Sequence, residues 1–122
     1  MLVLKTKNFS RWSKKERVSD AHLKTAVNEL LEGLSVVNLG GGLFKKRIAK
    51  AGSGKSGSYR TLMAYKKEDR IIFMFGFSKS DRNNIDQEEK EIYKKLAQYY
   101  LKASNIQIKK LCKAKELIEV KL

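Results

Sequence analysis

The sequence predicts an α+β fold in which helices flank a largely antiparallel β-sheet. Apolar residues recur at helical spacing before Val36, with period two or in continuous runs from Val36 to Lys79, and at helical spacing again after that point. The chain has 122 residues, of which 42% are hydrophobic. This length and apolar content are typical of one compact core, so we assign residues 1–122 to a single domain.

The first third of the chain predicts a short strand followed by a helical region. Leu2 to Leu4 fit a short strand. Ser13 and Glu16 have the spacing of a capping box, which predicts a helix start at that point. An amphipathic helix is expected over residues 20–32, and His22, which lies in it, is interpreted as a surface or packing residue.

The middle of the chain predicts three strands, over Leu43–Ala49, Ser58–Lys66 and Arg70–Lys79. The third is almost continuously apolar and is expected to be a buried central strand. A short polar connection joins the second strand to the third, so these two should form an antiparallel hairpin. The glycine-rich segment 50–57 joins the first strand to the second and is expected to be a mobile loop.

The last third of the chain predicts two helices and a closing segment. Asp86 and Glu89 have capping-box spacing, and the helix that they begin should end near Ser104. Its apolar face is predicted to contain Ile92, Leu96, Tyr99, Tyr100 and Ala103. A short second helix, with Ile108, Leu111 and Cys112 inward, leads to Leu117–Val120, which is expected to be an edge strand or a docked tail.

The charge of the chain indicates a polyanionic partner. Lys and Arg number 27 against 13 Asp and Glu, a formal net charge of +14. Residues 43–82 carry 11 of the basic residues and only 3 of the acidic ones. Lys46 and Lys66 are interpreted as edge charges on the predicted sheet. The remaining excess of cations favours binding of nucleic-acid phosphates.

The composition also argues against several classes of protein. The chain has no apolar run of the length that spans a bilayer, so we expect a cytoplasmic protein with no membrane partner. Cys112 and His22 are the only cysteine and histidine. An internal disulfide, a Cys/His metal site and a Ser-His-Asp triad are therefore not expected, and no cofactor or metal ion is assigned.

The segment from Ala49 to Ser56 is similar to a phosphate-binding P-loop. A P-loop begins with glycine, where this chain has Ala49, and it leads from a strand into a helix. Here the residues from Tyr59 to Tyr65 predict another strand. This context argues against nucleotide hydrolysis, although Lys55 and the neighbouring backbone amides remain suited to binding a phosphate of a nucleic acid.

The middle of the chain also carries a distinctive series of residues. In chain order these are Gly41, Gly42, Leu43, Phe44, Lys45, Lys46 and Arg47, then Gly54 to Gly57, Tyr59, Arg60, the run Ile71 to Phe77, Ser78 to Asp81, and Asn84. The series resembles the RelE/ParE superfamily and is most similar to the HigB-like branch of bacterial toxin-antitoxin modules. The resemblance implies a RelE-like fold and an mRNA endoribonuclease that acts on ribosome-bound mRNA without metal, using the ribose 2′-hydroxyl as nucleophile.

The resemblance also implies site residues. Arg47 and Arg60 would hold the scissile phosphate and stabilise its developing charge, because a guanidinium presents forked donors that match phosphate oxygens. Lys79 or Lys55 would handle the proton, because neighbouring positive charge favours the neutral amine. The implied catalytic residues are Arg47, Arg60 and Lys79, and the implied phosphate-binding residues are Lys45, Lys55 and Arg82.

The resemblance leaves two alternatives open. A ParE-like protein would share the fold but would inhibit DNA gyrase without cleaving RNA, and a non-toxic nucleic-acid-binding module would do neither. The partners implied by the leading hypothesis are mRNA, the 70S ribosome and a cognate antitoxin, which in HigB-like modules is usually a helix-turn-helix DNA-binding protein.

Overall fold

A computed structural model of the chain describes residues 1–49 and 58–122. In these residues, one mostly antiparallel six-stranded sheet carries four helices on its two faces, which confirms the predicted α+β class. The elements in chain order are β1 (Leu2–Thr6), α1 (Lys7–Lys15), α2 (Asp20–Leu31), β2 (Val36–Gly40), β3 (Leu43–Ala49), β4 (Ser58–Lys66), β5 (Arg70–Ser78), α3 (Gln87–Lys102), α4 (Asn105–Lys113) and β6 (Leu117–Glu119).

The strands are arranged across the sheet in the order β2, β3, β4, β5, β1, β6. The antiparallel neighbours β3, β4 and β5 have the predicted bounds, except that β5 ends at Ser78. The predicted β4–β5 hairpin and the closing edge strand are confirmed. The sequence did not predict β2, nor the parallel pairing of β1 with β5. The segment 50–57, predicted to be a mobile loop, lies outside the described residues.

The first helix begins earlier than the sequence predicts. The capping box assigned to Ser13 and Glu16 was wrong, because Ser13 lies inside α1 and Glu16 is the C-cap of that helix. The true N-cap is Thr6, whose hydroxyl accepts a hydrogen bond from the Phe9 amide at 3.1 Å. Thr6 is also the last residue of β1, so the strand passes directly into the helix without a loop that would mark the boundary.

Helix α3 starts as predicted, but only part of its predicted apolar face is buried. The Asp86–Glu89 capping box is present. However, Ile92 and Tyr99 are each 58% exposed, so the prediction that they belong to the buried face was wrong. The other predicted residues of this face do pack on the core, and they are Leu96, Tyr100 and Ala103. The helix residue whose side chain is completely buried is Ala97. Such a small residue allows the helix axis to approach the sheet closely.

The sheet separates two apolar cores. Helices α1 and α2 cover one face, where Phe9, Leu23 and Met63 are buried. Helices α3 and α4 cover the other face, where Leu62 and Ile108 are buried. Because strand side chains alternate between faces, each residue of β3 and β4 is committed to one of these two surfaces.

Lys46 was predicted to be an edge charge, and this was wrong. Its side chain is completely buried on the face that α2 covers. The ammonium donates hydrogen bonds to Glu29 Oε1 at 2.8 Å and to the backbone oxygen of Arg47 at 2.7 Å. A buried ammonium needs such partners, and the carboxylate that supplies one of them comes from α2. The chain pattern could not reveal this because the two residues are 17 positions apart.

Asp20 connects the start of α2 to both ends of the chain. It accepts a hydrogen bond from Lys5 Nζ at 2.8 Å and one from the Lys121 amide at 2.9 Å. Burial tends to raise the pKa of Asp20, but the hydrogen bonds from Lys5 and Lys121 outweigh burial, and the folded-state pKa is lower than usual.

A carboxyl whose pKa is lowered by folding stabilises the protein above its unfolded-state pKa and loses that contribution as the pH falls through the folded-state value. We therefore expect the free energy of unfolding of the wild type to decrease more steeply below about pH 4 than that of Asp20→Asn. Urea denaturation at a series of pH values measures this difference. Asp81→Asn, a change at an exposed turn, is the control, and equal pH slopes for wild type and Asp20→Asn would contradict the expectation.

Candidate phosphate-binding site

Strands β3 and β4 place three cations on the face of the sheet that α3 partly covers. Leu43 and Leu62 are buried in the core under α3 and α4. Because side chains alternate along a strand, Lys45 and Arg47 share the face of Leu43, and Arg60 shares the face of Leu62. The register pairs Arg47 directly with Arg60. Side chains paired in this way have Cβ atoms only about 5 Å apart.

The three cations line one cleft. It has a volume of about 390 Å³ and is formed by Ser35, Val36, Val37, Lys45, Arg47 and Arg60. A cleft of about 330 Å³ lies beside Glu16 and Tyr59, so size alone does not distinguish the cationic cleft. Its distinguishing property is that the described residues of its lining include three positive charges and no carboxylate.

The opposed arginines repel each other. Burial, and then the charge of Arg47, lower the pKa of Arg60. Like charges directly opposite on neighbouring strands are destabilising. Neither guanidinium forms an ion pair with a carboxylate in residues 1–49 or 58–122. The pair is therefore suited to bind an anion between its two members, and a phosphodiester fits forked guanidinium donors well.

Arg82 lies outside this cleft and already has a partner. Its guanidinium binds both carboxylate oxygens of Glu89 and lies over the ring of Phe77, 5.5 Å from the ring centroid. The hydrogen bond with Glu89 raises the pKa of Arg82 and lowers that of Glu89. Phe77 is the cross-strand neighbour of Arg60, so Arg82 lies beside the cleft with its charge compensated.

The other predicted residues occupy the rim or fall outside the described chain. Lys45 donates a long hydrogen bond of 3.5 Å to Asn84, which tethers it to the connection before α3. Lys79 is exposed, and it is not among the described residues that line the cleft. Its backbone amide donates to the Ser58 carbonyl at 3.0 Å, which places it beside the first residue of β4. Lys55 lies outside the described residues.

Two polar residues that the sequence did not predict as site residues contact the cations of the site. Ser58 accepts a hydrogen bond from Arg60, and Asn84 accepts one from Lys45. Ser58 could have been found from its position two residues before Arg60 on a predicted strand, because that spacing places both side chains on one face. Asn84 is distant from Lys45 in sequence, and its contact depends on where the connection between β5 and α3 passes.

Comparison with known families identifies the type of protein. Residues 1–120 match the family described as the RelE toxin of the RelE / RelB toxin-antitoxin system. The chain belongs to the RelE toxin family. No curated protein matches the chain significantly.

Membership of the RelE family means that the chain is a toxin of a toxin-antitoxin system, and it implies a cognate antitoxin as partner. The cationic cleft lies within the matched residues. None of the helices in the described part of the chain combines the length and apolar character needed to cross a bilayer.

Proposed function

We propose that this RelE-family chain is an endoribonuclease that cleaves ribosome-bound mRNA by metal-free attack of a ribose 2′-hydroxyl, and so inhibits translation. The observation that carries the proposal is the direct pairing of Arg47 with Arg60 in a cleft that Lys45 also lines. Two guanidinium groups at one cross-strand position, neither paired with a carboxylate of the described residues, form an anion site whose charge is suited to a phosphodiester.

In the proposed reaction, Arg47 and Arg60 bind the non-bridging oxygens of the scissile phosphate. The 2′-oxygen forms a bond to phosphorus, and the bond from phosphorus to the 5′-oxygen breaks, which leaves a cyclic phosphate. The proton of the 2′-hydroxyl passes to a base, and the departing 5′-oxygen takes up a proton. Negative charge grows on the phosphorane oxygens, where the fixed guanidinium groups stabilise it most.

The remaining cations have supporting roles in the proposal. Lys79 and Lys55 are the candidates for proton transfer, and Lys45 binds the RNA backbone at the rim. To bind a phosphate, Arg82 must first release Glu89, because both terminal nitrogens of its guanidinium donate hydrogen bonds to that carboxylate. Arg82 therefore contributes less to RNA binding than the uncompensated pair.

Replacing Lys79 by Ala should reduce single-turnover cleavage on programmed ribosomes while leaving the affinity for a non-cleavable mRNA nearly unchanged. A general acid or base contributes typically about 10²–10⁴-fold to a rate. Lys67→Ala, a change to another exposed lysine of the same hairpin, is the matched control. An unchanged rate for Lys79→Ala would remove this residue from the mechanism.

We also propose that the chain belongs to the HigB-like branch and is neutralised in the cytoplasm by a helix-turn-helix antitoxin. The order of the basic residues and glycines along the strands supports this assignment. A neighbouring gene for a short helix-turn-helix protein that forms a complex with this chain would support it, and an antitoxin without such a domain would contradict it.

Induced expression in a bacterial host tests the function as a whole. We expect immediate arrest of translation, with mRNA cut within ribosome-bound codons. A DNA-damage response without cut mRNA would instead indicate inhibition of gyrase, and normal growth would indicate a non-toxic binding module. Either result would contradict the proposal.

A further inference from the structure

Ser58 contacts two residues to which the proposed function gives chemical roles. It is the first residue of β4, and its side chain is almost completely buried. Its hydroxyl oxygen accepts a hydrogen bond of 2.6 Å from Arg60 Nη1. Its backbone oxygen accepts a hydrogen bond of 3.0 Å from the Lys79 amide. A single buried residue therefore connects Arg60 to the chain segment that carries Lys79.

Arg60 needs such a contact because its cross-strand neighbour Arg47 repels it. Arg47 lies directly opposite on β3, and an arginine side chain has enough rotatable bonds to turn away from that charge. The Ser58 hydroxyl opposes this movement. Because this hydroxyl is neutral, it holds the Arg60 guanidinium without cancelling the positive charge that would attract a phosphate. Glu89, by contrast, both holds Arg82 and neutralises its charge.

The contact also occupies one nitrogen of the Arg60 guanidinium. Nη1 is the only Arg60 nitrogen with a hydrogen-bond partner in residues 1–49 and 58–122, where it contacts Ser58 and, more weakly, the Tyr59 carbonyl at 3.5 Å. The Nε and Nη2 groups form the other side of the guanidinium fork. Two parallel N–H donors of this kind match two phosphate oxygens in a bidentate contact.

We propose that Ser58 is a positioning residue for Arg60, which fixes the guanidinium beside Arg47 with its Nε and Nη2 donors directed at the scissile phosphate. This inference rests on the proposed function and deepens it. Ser58 itself does not touch the RNA. Ser58 affects the reaction only by holding Arg60. A general role in folding would not depend on Arg60, so this dependence distinguishes the two roles.

Single-turnover cleavage of ribosome-bound mRNA tests the role. Ser58→Ala should lower the rate constant about tenfold, because a hydrogen bond to a charged group is lost. Ser58→Thr, which keeps the hydroxyl, should retain most of the rate. Ser58→Cys keeps the size of the side chain but offers sulfur, a weak acceptor, and should behave like Ser58→Ala. Full rate in both Ser58→Ala and Ser58→Cys would overturn the inference.

Ser78→Ala is the matched control. Ser78 is a buried serine on the adjacent strand, and its hydroxyl bonds to Ser80 rather than to an arginine. We expect this variant to cleave at the wild-type rate. A loss equal to that of Ser58→Ala would mean that the loss does not depend on a hydrogen bond to Arg60, and it would overturn the inference.

A double-mutant cycle distinguishes the inference from the function on which it rests. In an Arg60→Gln background, Ser58→Ala should cause no further loss of rate. The same loss in both backgrounds would overturn the positioning role and leave the proposed function intact. If Arg60→Gln alone cleaves at the wild-type rate, the proposed function fails, and the role of Ser58 fails with it.

Discussion

Arg60→Gln lowers single-turnover cleavage of ribosome-bound mRNA by about 10²–10³-fold, the loss typical of removing one donor that stabilises transition-state charge. The substitution keeps a side chain of similar length and removes the guanidinium from the cleft. Arg47→Gln should cause a loss of similar size, since the two residues are paired across β3 and β4. Quench measurements with excess toxin over programmed ribosomes give these rates directly.

Arg11→Gln is the control for the change in net charge, because Arg11 is exposed on α1, on the opposite face of the sheet from the cleft. We expect at most a small loss for this variant, through weaker long-range attraction of RNA. If Arg11→Gln and Arg60→Gln lost activity equally, the effect would come from overall charge and not from the cationic cleft.

Arg70→Ala should lower the free energy of unfolding by about 3 kcal/mol, because it removes several hydrogen bonds to a charged group and leaves buried acceptors without a donor. Arg70 is only 4% exposed. Its guanidinium donates to the backbone oxygens of Tyr100 and Ala103 at 2.9 and 2.8 Å, and to side-chain oxygens of Asp69 and Asn105.

These contacts explain how α3 is fixed to the sheet. The last carbonyls of a helix lack hydrogen-bond donors within the helix. Here the side chain of Arg70, from β5, donates to the carbonyl oxygens of Tyr100 and Ala103. Urea denaturation measures the loss. Lys66→Ala is the matched control, since Lys66 pairs with Arg70 in the β4–β5 register but is exposed and forms a 3.5 Å ion pair with Asp69. Equal stability losses for the two variants would contradict the capping role of Arg70.

The sequence predicted helices and strands correctly where a local pattern, such as alternation or a capping box, was clear. The bounds of β3 and β4 follow from alternation and apolar runs, and the start of α3 follows from the Asp86–Glu89 capping box. The pattern failed where the decisive partner is distant in sequence. The parallel pairing of β1 with β5 and the burial of Lys46 against Glu29 both depend on long-range packing that local periodicity does not contain.

The same distinction between local patterns and distant contacts applies to the candidate site. The sequence and the resemblance predicted that Arg47 and Arg60 act together, and the register places them opposite each other. Their catalytic role remains a prediction. The compensation of Arg82 by Glu89 could not be predicted, because the same Glu89 also fits the sequence signature of a helix cap and performs both tasks. Strand alternation places Ser58 and Arg60 on the same face of β4, so their contact could have been predicted from the sequence, although it was not.

The most direct test is to observe the arginine side chains while RNA binds. In ¹⁵N-labelled protein, the Nε–Hε signals of Arg47 and Arg60 should shift together, with one dissociation constant, when an oligonucleotide that carries a 2′-deoxy sugar at the cleaved position is added at low salt. Arg70, held by the end of α3, should not shift. RNA binding that leaves the Arg47 and Arg60 signals unchanged would contradict the claim that these two residues hold one phosphodiester.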